Sequence, residues 1–177
     1  MKLNTTTWMI CWTLMCSVLL SACGQTATTN TKTTMKPTHY SRTSKEKVTL
    51  TNAEWEKVLS PDLYAVARNA DTERAFTGKL WDNEAKGTYY CAACGNLLFR
   101  SNQKFSSSCG WPSFFEQEHK NSVVYKLDKS YGMIRTEALC GRCDAHLGHL
   151  FDDGPEPTGK RYCMNSISLE FVPDESE

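Results

Sequence analysis

The sequence CAACG at residues 91–95 decides the fold, because it has a counterpart in CGRCD at residues 140–144. Each stretch holds two cysteines separated by two residues, with a glycine near the turn. This spacing lets two thiolates approach one tetrahedral ion from the same side. The pairs are too far apart for a compact zinc ribbon, so intervening strands must bring them together. The sequence therefore predicts a structural zinc site whose four ligands are Cys91, Cys94, Cys140 and Cys143.

Redox motifs and structural disulfides are the other interpretations of these two cysteine pairs. A thioredoxin-like Cys-x-x-Cys motif follows a strand and opens a helix, and neither pair has that context. Disulfides are the default for an even number of cysteines outside the cytoplasm. The Cys-x-x-Cys spacing favours a zinc site over both a redox motif and structural disulfides. Four thiolates leave no open coordination position and are better ligands than the nearby His146 or His149.

The rest of the chain predicts a mainly β, α+β domain at residues 49–173, followed by an acidic tail at 174–177. The sequence TNAE at residues 51–54 fits a helix capping box, and Ser60 with Pro61 suits the start of a second short helix. Beyond these helices, short segments of alternating polarity, separated by Gly, Asn, Asp or Pro, predict antiparallel strands.

The N-terminal residues 1–22 combine a basic start with an apolar run too short to span a bilayer comfortably, which predicts a secretory signal. The ending LSAC, residues 20–23, resembles the lipobox of bacterial lipoproteins. That resemblance implies an acylated Cys23, and Gly24 after it implies sorting to the outer membrane. The predicted location is therefore the cell envelope, as a lipoprotein facing the periplasm. A plain signal peptide is the alternative.

Residues 23–48 are rich in threonine and poor in apolar side chains, so we interpret them as a flexible linker between lipid and domain. The chain after the linker is acidic, since residues 48–177 carry fourteen basic and nineteen acidic side chains. An acidic domain argues against nucleic acid as a partner, because phosphate binding needs clustered Lys and Arg.

Each Cys-x-x-Cys stretch is called a knuckle below. Within the domain at residues 49–173, two further cysteines lie outside the two knuckles. Cys109 belongs to a loop rich in Ser, Gly and Pro. Cys163 belongs to RYCMNSISLEF, residues 161–171, whose polarity alternates as in one strand. The cation of Arg161 and the amide of Asn165 would lie beside the Cys163 thiol, and such groups lower the pKa of a thiol. Cys163 is therefore a candidate nucleophile, although a structural disulfide with Cys109 is as well supported by composition. Alternation predicts that one face of this strand carries Arg161, Cys163, Asn165, Ile167, Leu169 and Phe171.

Four ordered stretches together resemble one enzyme family, the B-type methionine sulfoxide reductases, which act on the R epimer of the sulfoxide. The resemblance covers about residues 49–173. The stretches are AFTGKLWD (75–82), GTYYCAACGNLLF (87–99), SSSCGWPSFF (106–115) and CGRCDAHLGHLFDDGPEPTGKRYCMNSISLEF (140–171).

The resemblance implies that Cys163 is the catalytic nucleophile and Cys109 the resolving thiol. It implies that Trp111 receives the S-methyl group of the substrate, with Phe114 as a further apolar contact. The active-site residues that it implies around the nucleophile are His146, His149, Arg161 and Asn165.

The expected activity is reduction of methionine-R-sulfoxide in oxidised proteins, through a sulfenic acid on Cys163 and a disulfide with Cys109. An external dithiol regenerates the thiols. For an exported domain we expect a thioredoxin-like reductant in the periplasm or membrane. The alternative is a zinc-stabilised β module that binds a partner protein, with Cys109 and Cys163 locked in a structural disulfide.

Overall fold

The computed structural model describes residues 39–175, so the predicted signal peptide, Cys23 and the linker up to residue 38 lie outside the described part. Within residues 39–175, no helix is long and apolar enough to cross a bilayer. The helices and strands of this part are α1 (Asn52–Val58), α2 (Pro61–Asn69), β1 (Gly87–Cys91), β2 (Leu97–Arg100), β3 (Lys104–Phe105), β4 (Ser113–Phe114), β5 (Val123–Asp128), β6 (Arg135–Cys140), β7 (His146–Phe151), β8 (Arg161–Met164) and β9 (Leu169–Pro173).

Both helices begin at the caps that the sequence predicts. The Thr51 hydroxyl accepts a hydrogen bond from the Glu54 amide, and the Glu54 carboxylate accepts one from the Thr51 amide at 2.7 Å. Ser60 caps α2, and Pro61 occupies its first position, where no amide hydrogen is needed. The helix α1 buries Trp55 in the core, and α2 packs against β7.

The strands form two antiparallel sheets, which confirms the predicted mainly β fold. The smaller sheet has the order β2-β1-β9 and the larger sheet the order β3-β4-β8-β7-β6-β5. The strand β8 therefore lies inside the larger sheet, between β4 and β7. The core between the elements is built from buried side chains that include Trp55, Tyr89, Leu98, Phe99, Phe114, Leu147 and Met164.

The segment 161–171 differs from its prediction, because it forms two strands in different sheets. The strand β8 ends at Met164, a 3-10 turn covers Ser166–Ser168, and β9 begins at Leu169 in the smaller sheet. The carboxylate of Glu73 fixes the turn by accepting two of its backbone N–H groups at 2.6 and 3.1 Å. The predicted single face therefore does not extend past the end of β8.

Residues 40–48, which the sequence assigned to the linker, lie against the cysteine knuckles and are called the strap below. Arg142, in the second knuckle, is only 6% exposed. Its guanidinium donates to the carbonyl oxygens of Ser41 at 2.9 Å, Glu46 at 2.9 Å and Cys94 at 2.5 Å. One buried cation therefore joins the strap to both knuckles, and the ordered chain begins before residue 49.

Replacing Arg142 with alanine leaves three carbonyl oxygens without their donor. We expect the free energy of unfolding to fall by about 2–4 kcal/mol, since hydrogen bonds to a buried charge are among the strong ones. Chemical denaturation of the purified domain measures this change.

The matched control is Lys47→Ala, which removes a strap ion pair to Asp144 whose side chains are 53% and 56% exposed. An exposed pair contributes little, so stability should change by less than about 0.5 kcal/mol. Equal stability of the two variants would contradict the role of Arg142 in holding the strap.

Candidate active site and zinc centre

The four knuckle cysteines are buried and lie together. Their sulfur atoms are all within 4.8 Å of one another. The Sγ atoms of Cys91 and Cys143 are 3.8 Å apart, and those of Cys94 and Cys140 are 3.6 Å apart. Tetrahedral zinc with Zn–S bonds of about 2.3 Å requires sulfur atoms about 3.8 Å apart. The cluster has the size and donor set of the predicted zinc site.

The strands bring the two knuckles together, as the sequence required. Cys91 is the last residue of β1 and Cys140 is the last residue of β6. Each knuckle closes a tight turn, in which the Gly95 amide donates to the Cys91 carbonyl at 2.8 Å and the Asp144 amide to the Cys140 carbonyl at 2.9 Å. The metal site therefore joins the end of a strand in the smaller sheet to the end of a strand in the larger one.

Cys109 and Cys163 lie in contact at the larger sheet. Cys163 is on β8, where it is the register partner of Ser113 on β4 and His149 on β7. Cys109 lies in the loop before β4, and its Sγ atom is 3.7 Å from the Sγ atom of Cys163. A disulfide bond is about 2.0 Å long. The two residues are therefore free thiols that are neighbours in space.

The charge state of this thiol pair differs from its prediction. Burial foremost, together with the charge and hydrogen bond of Cys109, raises the pKa of Cys163 to about 12. Arg161 acts in the predicted direction, but it does not outweigh burial. Burial raises the pKa of Cys109 as well, yet hydrogen bonds with Ser107 and Ser113 outweigh it, so that pKa lies below its ordinary value. The first negative charge of the pair therefore resides on Cys109.

Arg161 is held rigidly beside the pair. Its guanidinium makes two parallel hydrogen bonds with the carboxylate of Asp153, both 2.8 Å long, and lies 4.4 Å from the ring centre of Phe151. Asp153 belongs to the acidic turn after β7 and is 63% exposed. The cation is therefore fixed in direction, although its partner is open to water.

The two histidines have different positions. The Nε2–H group of His149 donates to Asp128 at 2.8 Å, and His149 lines the same pocket as Cys163. The Nδ1–H group of His146 donates to Glu137 at 2.8 Å, and burial lowers the pKa of His146. His146 lines an adjoining cavity of about 450 Å³ instead. His149 is therefore the imidazole nearer to the reacting sulfur.

A small pocket of about 130 Å³ opens above Cys163. Trp111 forms one wall, and its ring is fixed because Nε1–H donates to the carbonyl oxygen of Glu73 at 3.1 Å. The aromatic rings of Trp111 and Phe151 and the imidazole of His149 all line this pocket. The pocket has room for the end of a short side chain with one apolar and one polar substituent.

Two predicted site residues have other positions. Phe114 is fully buried and stacks on Phe99 at 4.2 Å, because it points to the opposite face of β4 from Ser113. It belongs to the core and does not line the pocket. Asn165 does line the pocket, but its amide donates to the Leu147 carbonyl at 3.2 Å and accepts from the Glu73 amide at 3.1 Å. Its hydrogen bonds position the chain after β8 and do not reach the thiol.

Three acidic residues that orient the site were not predicted: Asp128 holds His149, Glu137 holds His146 and Asp153 holds Arg161. Acidic side chains are common on surfaces, so composition carries no signal for them. A sequence signal was available for Glu137 alone. Residues 135–140, RTEALC, alternate as a strand does, and in the structure Glu137 is the register partner of His149 on β7.

Two thiols in contact, a fixed guanidinium beside them and an imidazole that lines the same pocket as Cys163 define the class of this protein as a dithiol oxidoreductase. Comparison with known proteins identifies the family. The model of the SelR domain matches residues 59–173.

Curated relatives named peptide methionine sulfoxide reductase MsrB align with most of their own length. The protein of Thiobacillus denitrificans is 56% identical over 70% of this chain and 93% of its own. The protein of Herminiimonas arsenicoxydans is 52% identical over 75% and 98%, and that of Methanosarcina barkeri is 55% identical over 69% and 86%. The chain belongs to the SelR family, the B-type peptide methionine sulfoxide reductases.

Replacing Cys109 with serine should lower the pKa of Cys163 below its value of about 12. The charge and hydrogen bond of Cys109 raise that pKa and would be lost, whereas the opposing effect of Arg161 would remain. The ultraviolet absorbance of the thiolate, recorded against pH, measures the change.

The Cys163→Ser protein is the matched control, and its titration reports Cys109 alone against the same background of zinc-bound thiolates. An unchanged or higher pKa for Cys163 in the Cys109→Ser protein would show that the two sulfurs are not electrostatically linked.

Proposed function

We propose that the protein reduces methionine-R-sulfoxide in peptides and proteins, with Cys163 as the nucleophile and Cys109 as the resolving thiol. Membership of the family supports the reaction, since its relatives are peptide methionine sulfoxide reductases. The observation that carries the residue roles is the 3.7 Å contact between the two Sγ atoms beside the Trp111 pocket.

In the first step the sulfur of Cys163 attacks the sulfoxide sulfur. The proton of the Cys163 thiol can pass to Cys109, whose lower pKa makes it the better-ionised sulfur, and Arg161 stabilises charge on Cys163. An imidazole delivers protons near neutral pH, so His149 supplies the proton that the sulfoxide oxygen needs. Attack joins the Cys163 sulfur to the substrate sulfur. This S–S bond and the S–O bond to methionine then break as the protonated oxygen is transferred to the Cys163 sulfur, so methionine leaves reduced by two electrons and Cys163, oxidised by two electrons, becomes a sulfenic acid.

In the second step Cys109 attacks the sulfur of the Cys163 sulfenic acid, and the hydroxyl group leaves as water. The product is a disulfide between the two residues, which are already in contact. A thioredoxin-type dithiol then reduces this disulfide and is itself oxidised to a disulfide, which returns both thiols.

The three walls around the sulfur explain selectivity for one epimer. The methyl group binds the apolar face of Trp111, the oxygen points to His149, and the peptide continues out of the pocket. Three different contacts around one stereogenic sulfur distinguish its two epimers. With the peptide side held in place, the other epimer has its methyl group and its oxygen in exchanged positions. The mirror epimer would place its oxygen against Trp111, away from the proton donor.

The zinc site has a structural role in this proposal. Zinc held by Cys91, Cys94, Cys140 and Cys143 would supply a cross-link between strand ends and no open position for substrate.

We also propose that the enzyme is a lipoprotein of the cell envelope, anchored through Cys23 and facing the periplasm. The support is the apolar N-terminal segment that ends in LSAC, residues 20–23. In that location the reductant is a thioredoxin-like protein of the periplasm or membrane. The acidic charge of residues 48–177 gives no support for a nucleic-acid partner.

Replacing Cys163 with serine should abolish reduction of the R epimer of a methionine sulfoxide peptide, because the attacking sulfur is lost. The S epimer should be unreactive with both proteins. Chromatography of the two epimers and of methionine, with dithiothreitol as reductant, measures the outcome.

The matched control is Cys109→Ser, which keeps the nucleophile. We expect this variant to form one equivalent of methionine per enzyme in the absence of reductant. Residual R-epimer turnover by Cys163→Ser would overturn the assignment of the nucleophile, and inactivity of the native protein would favour a binding module instead.

Replacing Cys23 with alanine should release the protein from the membrane, since the acylated side chain is removed. Fractionation of cells that express the full chain, with radiolabelled palmitate as a second readout, tests this. A native protein found in the soluble fraction without label would overturn the anchoring proposal and leave the enzymatic one unaffected.

A further inference from the structure

The loop that precedes β1 places two aromatic rings next to Cys109. The Phe76 amide donates to the carbonyl oxygen of Gly110 at 2.9 Å, which fixes Phe76 against the residue that follows Cys109. Its ring lies so close to Gly110 that a β-carbon there would be 2.9 Å from ring atoms. The ring of Trp81 meets the ring of Phe76 edge to face at 5.3 Å. We call Phe76 and Trp81 the aromatic platform.

A surface cavity extends from Trp81 of this platform to the loop that carries Cys109. The cavity of about 280 Å³ has Trp81 on one wall and Ser106 and Ser107 on another. The Ser107 hydroxyl is 2.9 Å from the Cys109 sulfur. The platform thus meets the Cys109 loop at two places, through the contact of Phe76 with Gly110 and through the cavity that Trp81 and Ser107 both line.

Phe76 is unusual in two respects. The residue is 55% exposed, and its backbone lies in the left-handed region with φ of 64°. A bulky residue rarely adopts that conformation, and such strain is concentrated at functional sites. Exposed aromatic rings are also enriched where proteins bind one another. Both observations indicate a surface that contacts another molecule.

The sulfoxide substrate does not need this surface. Its pocket is formed by other residues, including Trp111, His149 and Phe151, and neither Phe76 nor Trp81 lines it. The second macromolecule that the reaction requires is the reductant. Its thiolate must come within bonding distance of the Cys109–Cys163 disulfide.

Cys109 is the sulfur that this thiolate can reach. Cys163 lies on β8 between two neighbouring strands, at the substrate pocket, whereas Cys109 lies in a loop beside the cavity. Attack on Cys109 breaks the disulfide and forms a mixed disulfide between Cys109 and the reductant, and Cys163 leaves as a thiol by taking up the proton that the attacking thiol released. The second thiol of the reductant then releases Cys109, so two electrons pass to the enzyme and the reductant becomes a disulfide.

We propose that the aromatic platform, Phe76 with Trp81, docks the protein dithiol that reduces the Cys109–Cys163 disulfide. This inference rests on the proposed function and adds the surface by which the enzyme recognises its reductant. The occupant is a folded protein of the thioredoxin type, whose attacking cysteine lies on an apolar surface. A small dithiol needs no such platform.

The test is Phe76→Gly, because glycine adopts the left-handed backbone without strain and removes the ring. We expect kcat/KM for purified bacterial thioredoxin to fall about tenfold, the loss typical of an aromatic anchor at an interface. The methionine formed in a single turnover without reductant, and the turnover with dithiothreitol, should match the native enzyme.

Leu127→Ala is the matched control, since Leu127 is also a large apolar residue and is 57% exposed, yet lies on β5, at the opposite edge of the larger sheet from β3. Its kcat/KM for thioredoxin should be unchanged. Phe76→Asn, which also tolerates a left-handed backbone, gives a second variant should the glycine protein fold poorly.

Native kcat/KM for thioredoxin in both Phe76 variants would overturn the proposal. An equal loss with thioredoxin and with dithiothreitol would also overturn it, because the ring would then support the redox site itself. Absence of the single-turnover product in the native enzyme would instead contradict the proposed function, so the two failures are distinguishable.

Discussion

The four-thiolate cluster is the constraint on which the rest of this structure depends. It ties the last residue of β1, Cys91, to the last residue of β6, Cys140, and so joins the smaller sheet to the larger one. The second knuckle runs directly into β7, which carries His149, and Cys91 is the register partner of Leu169 at the start of β9. Both neighbours of β8 in the chain are therefore anchored near the metal. The strand that carries Cys163 is held without any contribution of zinc to the chemistry.

The reacting sulfurs are controlled by burial more than by the nearby cation. A thiol enclosed by strands resists ionisation, and Arg161 only reduces that cost. Cys109, the better-ionised sulfur, lies in contact with Cys163. Both roles that we propose for Cys109, proton acceptor and resolving thiol, would use this one contact between two sulfur atoms.

Glu73 connects the parts of the site that different segments supply. Its carboxylate holds the turn between β8 and β9, its amide donates to Asn165, and its carbonyl oxygen accepts from Trp111. The same loop continues to Phe76, which contacts the backbone beside Cys109. One loop thus orders the substrate wall and the surface on which we place the reductant.

Local spacing, composition and short motifs were sufficient to predict two cysteine knuckles for zinc, two capped helices, a β-rich domain and the family. These signals are local because each arises within a few residues, as in the capping box at Thr51. Tertiary structure decided the division of residues 161–171 between two sheets, the burial of Phe114 and the packing of residues 40–48 against the knuckles. It also decided the high pKa of Cys163. Each of these depends on atoms that are distant in the chain, and periodicity within a segment carries no information about them.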